Sequence, residues 1–174
     1  MKKDSIALIG FMATGKTTIG KELVKRLGND YRFIETDQLI VEKAGKTIPE
    51  IFAEEGEIKF REYEISACKM ASEFRKAVIS CGGGVVLNKI NIDYLKRNCY
   101  IILLKATVDE IYKRALKDKI ESRPIINKED PPSEIEKVLN FRKPFYEAAA
   151  EIIIDTTGKK VEEIVNEILK KIDL

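Results

Sequence analysis

Short runs of apolar residues alternate along this chain with stretches in which apolar positions recur every three or four residues. Ser5–Ile9, Tyr31–Ile34, Ala77–Cys81, Cys99–Leu104 and Glu151–Ile154 are predicted strands, most of them nearly continuous in apolar character, as buried parallel strands are. Between them the period becomes that of an amphipathic helix. Ile19, Leu23, Val24 and Leu27 mark one helix, closed by Gly28-Asn29, and Phe60, Tyr63, Ala67, Ala71 and Phe74 stripe a longer one. Val108, Ile111, Tyr112, Ala115 and Leu116 give another, and Val161, Ile164, Val165, Ile168 and Ile172 the last. Thr47-Ile48-Pro49-Glu50 and Ser133-Glu134-Ile135-Glu136 each have the form of a capping box that opens a helix. This alternation predicts an α/β fold with three layers, α/β/α, around a five-stranded parallel sheet with right-handed crossovers. Ligands of such sheets sit outside the C-terminal ends of the strands. With no internal repeat, low-complexity tract or dividing linker, residues 1–174 are expected to form one domain.

One region breaks the alternation. Lys117–Ser133, KDKIESRPIINKEDPPS, is polar, holds three prolines and has no apolar period, so it is either disordered or a functional loop. Composition narrows the field of functions. The 31 basic and 29 acidic residues are interleaved along helical stretches, which gives no reason to expect a nucleic-acid or membrane partner. The absence of histidine removes a Ser-His-Asp triad, a Cys-His pair and His-ligated zinc. Cys68, Cys81 and Cys99 are far apart and have no metal-binding spacing; their odd, sparse number fits a reducing compartment. The first residues are too short and too charged for a signal peptide, and no apolar run reaches membrane-spanning length, so a cytoplasmic location is expected.

Chemistry enters with GFMATGKTT, Gly10 to Thr18, directly after the first predicted strand. Gly10, Gly15, Lys16 and Thr17 fill the fixed positions of the phosphate-binding loop G-x-x-x-x-G-K-[ST]. Glycines let the backbone N–H groups approach phosphate oxygens, and the helix starting near Lys16 turns its positive end toward the same anion. Ala13, Thr14, Gly15, Lys16, Thr17 and Thr18 are therefore candidate nucleotide-binding residues, with Lys16 reaching the β- and γ-phosphates and the Thr17 hydroxyl a ligand of Mg²⁺.

Three further groups stand at predicted strand ends. Glu35-Thr36-Asp37 brings two carboxylates to the end of the second strand, where they either face phosphates through Mg²⁺ or the substrate, or Asp37 simply caps the next helix. Gly82-Gly83-Gly84 follows the third strand and implies close approach of backbone to a ligand, or a plain flexible loop. Arg61, Arg123 and Arg142 are either surface residues or candidate receptors for a small carboxylate, and Arg61 also has the spacing for an i,i+3 pair with Glu64.

Taken in order, GFMATGKTTIG, FIETDQLI, IPEIFAEEGEIKFREYE, ISCGGGVV, SRPII and FRKPFYEAA make the chain resemble the shikimate kinases, P-loop enzymes built like nucleoside monophosphate kinases. The resemblance runs nearly end to end, and its specific part is the FR-x-x-E segment, the GGG turn and the last arginine together. It implies phosphorylation of the shikimate 3-hydroxyl by ATP with Mg²⁺ in aromatic amino acid biosynthesis, with shikimate as the small-molecule partner; a monomer is expected, although no residue pattern speaks to the oligomeric state. It implies that Asp37 holds the ring hydroxyls and orients or deprotonates the attacking one. Arg61 and Arg142 would clamp the carboxylate, with Gly83 and Gly84 closing the pocket and Phe52 and Phe60 walling it. Residues 33–62 would form the substrate-binding region and 115–132 a mobile lid carrying Arg123, which stabilises the transferring phosphoryl group. Arg114 and Asp155-Thr156-Thr157-Gly158, with Thr157 a nucleotide contact, would bracket the adenine, and Ser80 would stand near the water shell of Mg²⁺. The family usually has Asp where this chain has Glu35, whose extra methylene bears on a water-mediated contact with Mg²⁺.

Two rival readings use the same phosphate loop. A kinase of another small metabolite, such as gluconate, has no need of the FR-x-x-E and GGG pair. A GTP-dependent switch would use Asn127-Lys128-Glu129-Asp130 and Asp155-Thr156-Thr157-Gly158, but the two strings occur in the reverse of the order that a GTPase requires.

Overall fold

The structure, a computed structural model, describes residues 2–117 and 128–174. Five parallel strands, β1 (Ser5–Ile9), β2 (Arg32–Glu35), β3 (Ala77–Ser80), β4 (Cys99–Lys105) and β5 (Ile152–Asp155), lie in the order β2-β3-β1-β4-β5. The central strands are apolar on both sides because both faces are covered, and the period of two sorts their side chains. Ala7 and Ile9 of β1, Ile79 of β3 and Ile101 and Leu103 of β4 enter one core. Ile6, Leu8, Val78, Ile102 and Leu104 enter the other.

The second core is closed by α1 (Lys16–Leu27) through Ile19 and Leu23, and by α8 (Val161–Lys171) through Ile164, Val165 and Ile168. The first is closed by α4 (Gly56–Glu73), α5 (Lys89–Leu95) and α7 (Pro131–Ala149), which contribute Cys68 and Ala71, Ile92 and Leu95, and Tyr146 and Ala149. Two short helices, α2 (Thr36–Ala44) and α3 (Ile48–Glu54), pack on α4 around Ile40, Ile51 and Phe60. The helix α6 (Val108–Lys117) meets α7 in a smaller cluster around Ile111, Ala115 and Ile135, which also takes in Phe11 and Met12.

Several local expectations change. The capping box at Thr47 forms as expected, with Pro in the first turn. The one expected at Ser133 does not: α7 begins at Pro131, and the Asp130 carboxylate accepts from the Ser133 N–H. Prolines suit those first positions because their missing N–H would have no helical partner. Residues 115–117 are thus the end of α6 and 131–132 the start of α7, while 118–127, with Arg123, lie outside the described residues. The short helix α5 and the 3-10 turn Val85–Leu87 fall in a stretch with no predicted element. Among the described residues no helix is long and apolar enough to cross a membrane.

Candidate active site

Four of the five strands deliver site residues at their C-terminal ends, and the order of the sheet sets those ends side by side. After β1 the chain enters the loop Gly10–Gly15. Gly15 has φ +97°, a left-handed conformation open to glycine, and it leads directly into α1. Ala13 is left-handed too, at φ +57°, an unfavourable conformation for a residue with a Cβ and one typical of ligand-binding loops. The loop is tied internally by the Thr14 hydroxyl, which donates to Phe11 O at 2.9 Å. The Lys16 ammonium lies over it, donating to Gly10 O at 2.9 Å and Phe11 O at 2.7 Å.

At the end of β2, Glu35 reaches back to this loop: the Thr17 hydroxyl donates to its Oε1 at 2.7 Å. The Glu35 carboxylate on β2 thus touches the hydroxyl on α1. Together the two present hard oxygen donors, the kind that suits Mg²⁺ with its remaining positions kept by water. Asp37 does not cap α2, since Glu35 holds the N-cap position and makes no side-chain cap bond. Asp37 lies in the first turn, where the helix dipole favours a carboxylate.

The Gly82–Gly84 turn after β3 is where the substrate end of the site is assembled. Gly82 N–H donates to the buried Thr36 hydroxyl at 3.0 Å, which pins the turn to the start of α2. A Cβ at Gly82 would lie 2.6 Å from Asp37 Oδ1, so the missing side chain is the space that the Asp37 carboxylate uses. A Cβ at Gly84 would meet Arg61 Nη1 at 2.7 Å, and one at Gly83 would lie 3.6 Å from Arg142 Nη1. The two arginines, from α4 and α7, therefore converge on this one turn.

Arg61 is oriented from its own helix. It donates to Glu64 at 3.1 and 3.2 Å and to Glu57 at 3.1 Å, and its guanidinium stands 5.2 Å from the Phe60 ring centroid. The i,i+3 pairing with Glu64 is thus present, and it holds the guanidinium at the turn. Phe52 borders the cleft, while Phe60 stacks beneath it with ring centroids 4.5 Å apart and is only 7% exposed. Phe60 supports the wall and does not form it.

Glu64 is 1% exposed and also accepts from Asn91 Nδ2 at 3.2 Å. Burial pushes its carboxyl above the ordinary glutamate range; Arg61 opposes the rise and nearby Asp37 adds to it. Its pKa is higher folded than unfolded, so its contribution to stability is complete below the ordinary range and is lost as pH rises through the raised value. The native chain should therefore lose stability relative to Glu64→Gln as pH rises above the ordinary glutamate range, as read from urea midpoints. A difference that stays flat or moves the other way would contradict this placement.

The far end of the cleft is built by α6 and the β5–α8 loop. Arg114 donates to Thr156 O at 2.7 Å, to the buried Thr156 hydroxyl at 3.0 Å and to Glu110 at 2.9 Å. In the same loop the Thr157 hydroxyl accepts from Thr107 N–H at 3.1 Å. Lys159 and Val161 line this end, and no motif pointed to them. One cleft of about 1420 Å³ runs from Arg114 past Ala13–Thr18, Glu35, Asp37 and Ser80 to Phe52 and the glycine turn. Sequence reasoning missed Thr36, Glu64 as a buried group, and Asn91, because each acts through partners distant in sequence.

A family model described as shikimate kinase matches residues 12–173. A shikimate kinase of Caldanaerobacter subterraneus subsp. tengcongensis is 43% identical over 166 residues, covering 95% of this chain and 94% of that protein. The solved shikimate kinase of Acinetobacter baumannii, in complex with shikimate, superposes with a TM-score of 0.87 at 32% identity, covering 97% of this chain and 92% of that one. A gluconokinase of Sinorhizobium meliloti 1021 shares the fold alone, with a TM-score of 0.57 at 15% identity, covering 98% and 92% of the two chains. With a phosphate loop at one end of its cleft and two arginines on a triple-glycine turn at the other, this chain belongs to the shikimate kinase family.

Proposed function

We propose that this chain transfers the terminal phosphoryl group of ATP to the 3-hydroxyl of shikimate, with Mg²⁺, as a cytoplasmic monomer of one kinase domain. The observation that carries this reading is the convergence of Arg61 and Arg142 on the Gly82–Gly84 turn beside Asp37. A pair of guanidinium groups is a receptor for a planar carboxylate, and a carboxylate next to it can receive or orient a ring hydroxyl.

Phosphoryl transfer asks a protein for positioning and charge neutralisation. The amides of Ala13–Thr18 cradle the phosphates. The Lys16 ammonium leaves the loop carbonyls for the β- and γ-oxygens. Thr17, and Glu35 through water, are the residues that would hold Mg²⁺, which would supply charge neutralisation for the phosphate oxygens. Asp37 aims the attacking hydroxyl, Arg61 and Arg142 fix the acid, and Gly83 and Gly84 close the pocket. Phe52, backed by Phe60, walls it. Arg114 brackets the adenine with the loop at Thr156-Thr157, and Arg123 comes from the lid to the transferring group. Ser80 borders the phosphate end.

ADP release in a coupled assay tests this with shikimate, its methyl ester and gluconate as acceptors. Shikimate alone should support turnover near full rate. Equal rates with the ester would remove the arginine clamp, and preference for gluconate would overturn the substrate.

A further inference from the structure

Tyr146 has no part in the chemistry above, yet it stands at the centre of the substrate corner. It lies one helical turn beyond Arg142 on α7 and is 3% exposed. Its hydroxyl donates to Gly83 O at 2.5 Å, and Arg142 Nη1 donates to the same oxygen at 3.3 Å. Burial pushes the phenol up to about 12, with the Arg142 charge opposing, so the hydroxyl keeps its proton and remains a donor throughout the working range.

Two details give this bond its meaning. A side cavity of about 280 Å³ is bordered by Tyr146, Phe11, Leu104 and Leu139. The ring itself is held in the core, and the hydroxyl bond ties it to the turn. Arg142 Nε is buried without a hydrogen-bond partner among the described residues, while its Nη1 is committed to the turn. An incoming carboxylate offers that guanidinium a charged acceptor in place of a neutral carbonyl.

We propose that Tyr146 is a positioning residue for the acceptor acid: its hydroxyl holds the Gly83 carbonyl, so that Arg142 can turn to the carboxylate without releasing the glycine turn. This rests on the carboxylate role of Arg142 proposed above. A residue that only fills the core would act on stability; one that holds the turn acts on acceptor affinity, and through Arg142.

The test is Tyr146→Phe, which keeps the ring and removes the donor. Shikimate KM should rise about five- to tenfold, with kcat within about twofold and ADP affinity unchanged. In an Arg142→Ala background the same change should move KM by less than about twofold, since coupled residues are not additive. An unchanged KM, or an equal rise in both backgrounds, would overturn the proposal. Tyr146→Met, which fills the space without a donor, should repeat the result if the phenylalanine variant folds poorly. A native chain inert toward shikimate would instead overturn the kinase reading, and the native control shows which of the two has failed.

Discussion

Replacing Lys16 by methionine is expected to lower turnover about 10²- to 10³-fold while leaving the chain folded. The ammonium is half-buried and spans from α1 to two carbonyls of its own loop, at 2.9 and 2.7 Å. Those neutral carbonyls are acceptors from which a triphosphate can take the cation. Charge grows on the phosphate oxygens as transfer proceeds, so an ammonium in this place stabilises the transition state more than the ground state. Methionine keeps the length of the side chain and removes the charge, and the main loss should fall on kcat, with a smaller one on ATP affinity. Coupled ADP release measures it. Turnover within about tenfold of the native chain would mean that this cation lies off the reacting phosphate.

The second large effect is expected at Asp37. Asp37→Asn should cost about 10²-fold in kcat with a smaller change in shikimate KM, because the amide keeps the shape but not the charge of the acceptor. The carboxylate is placed by the absence of a side chain at Gly82, whose Cβ would lie 2.6 Å from Oδ1. It is placed also by the first turn of α2, whose preceding residue Glu35 is occupied with Thr17. The two carboxylates of Glu35-Thr36-Asp37 thus separate into different tasks, one toward the phosphate side and one toward the acceptor. Turnover close to that of the native chain would reduce Asp37 to a helix-end charge.

Much of this arrangement was legible in the sequence, for identifiable reasons. A buried parallel strand needs side chains on both faces, and β1 and β4 consequently stand out as unbroken apolar runs. The phosphate loop is readable because its chemistry demands glycine, lysine and threonine at fixed spacing. The Arg61–Glu64 pair is readable because both lie on one helix face. The short helix α5, of seven residues, left too brief a pattern to register. The start of α7 was misplaced by three residues, from Ser133 to Asp130, because Asp130 and the two prolines after it do the work of the cap. What local pattern does not hold is contact across the chain. Thr36 meets Gly82 across 46 residues, Asn91 meets Glu64 across 27, and Tyr146 meets Gly83 across 63. Each is a side chain that a helix or strand pattern alone would assign to capping or core.

The most direct test is a crystal structure of the chain with ADP and shikimate. The nucleotide phosphates should lie on the Gly10–Thr18 loop, the shikimate carboxylate between Arg61 and Arg142, and a ring hydroxyl on Asp37. Shikimate seated away from the two arginines, or a nucleotide bound elsewhere, would contradict the account.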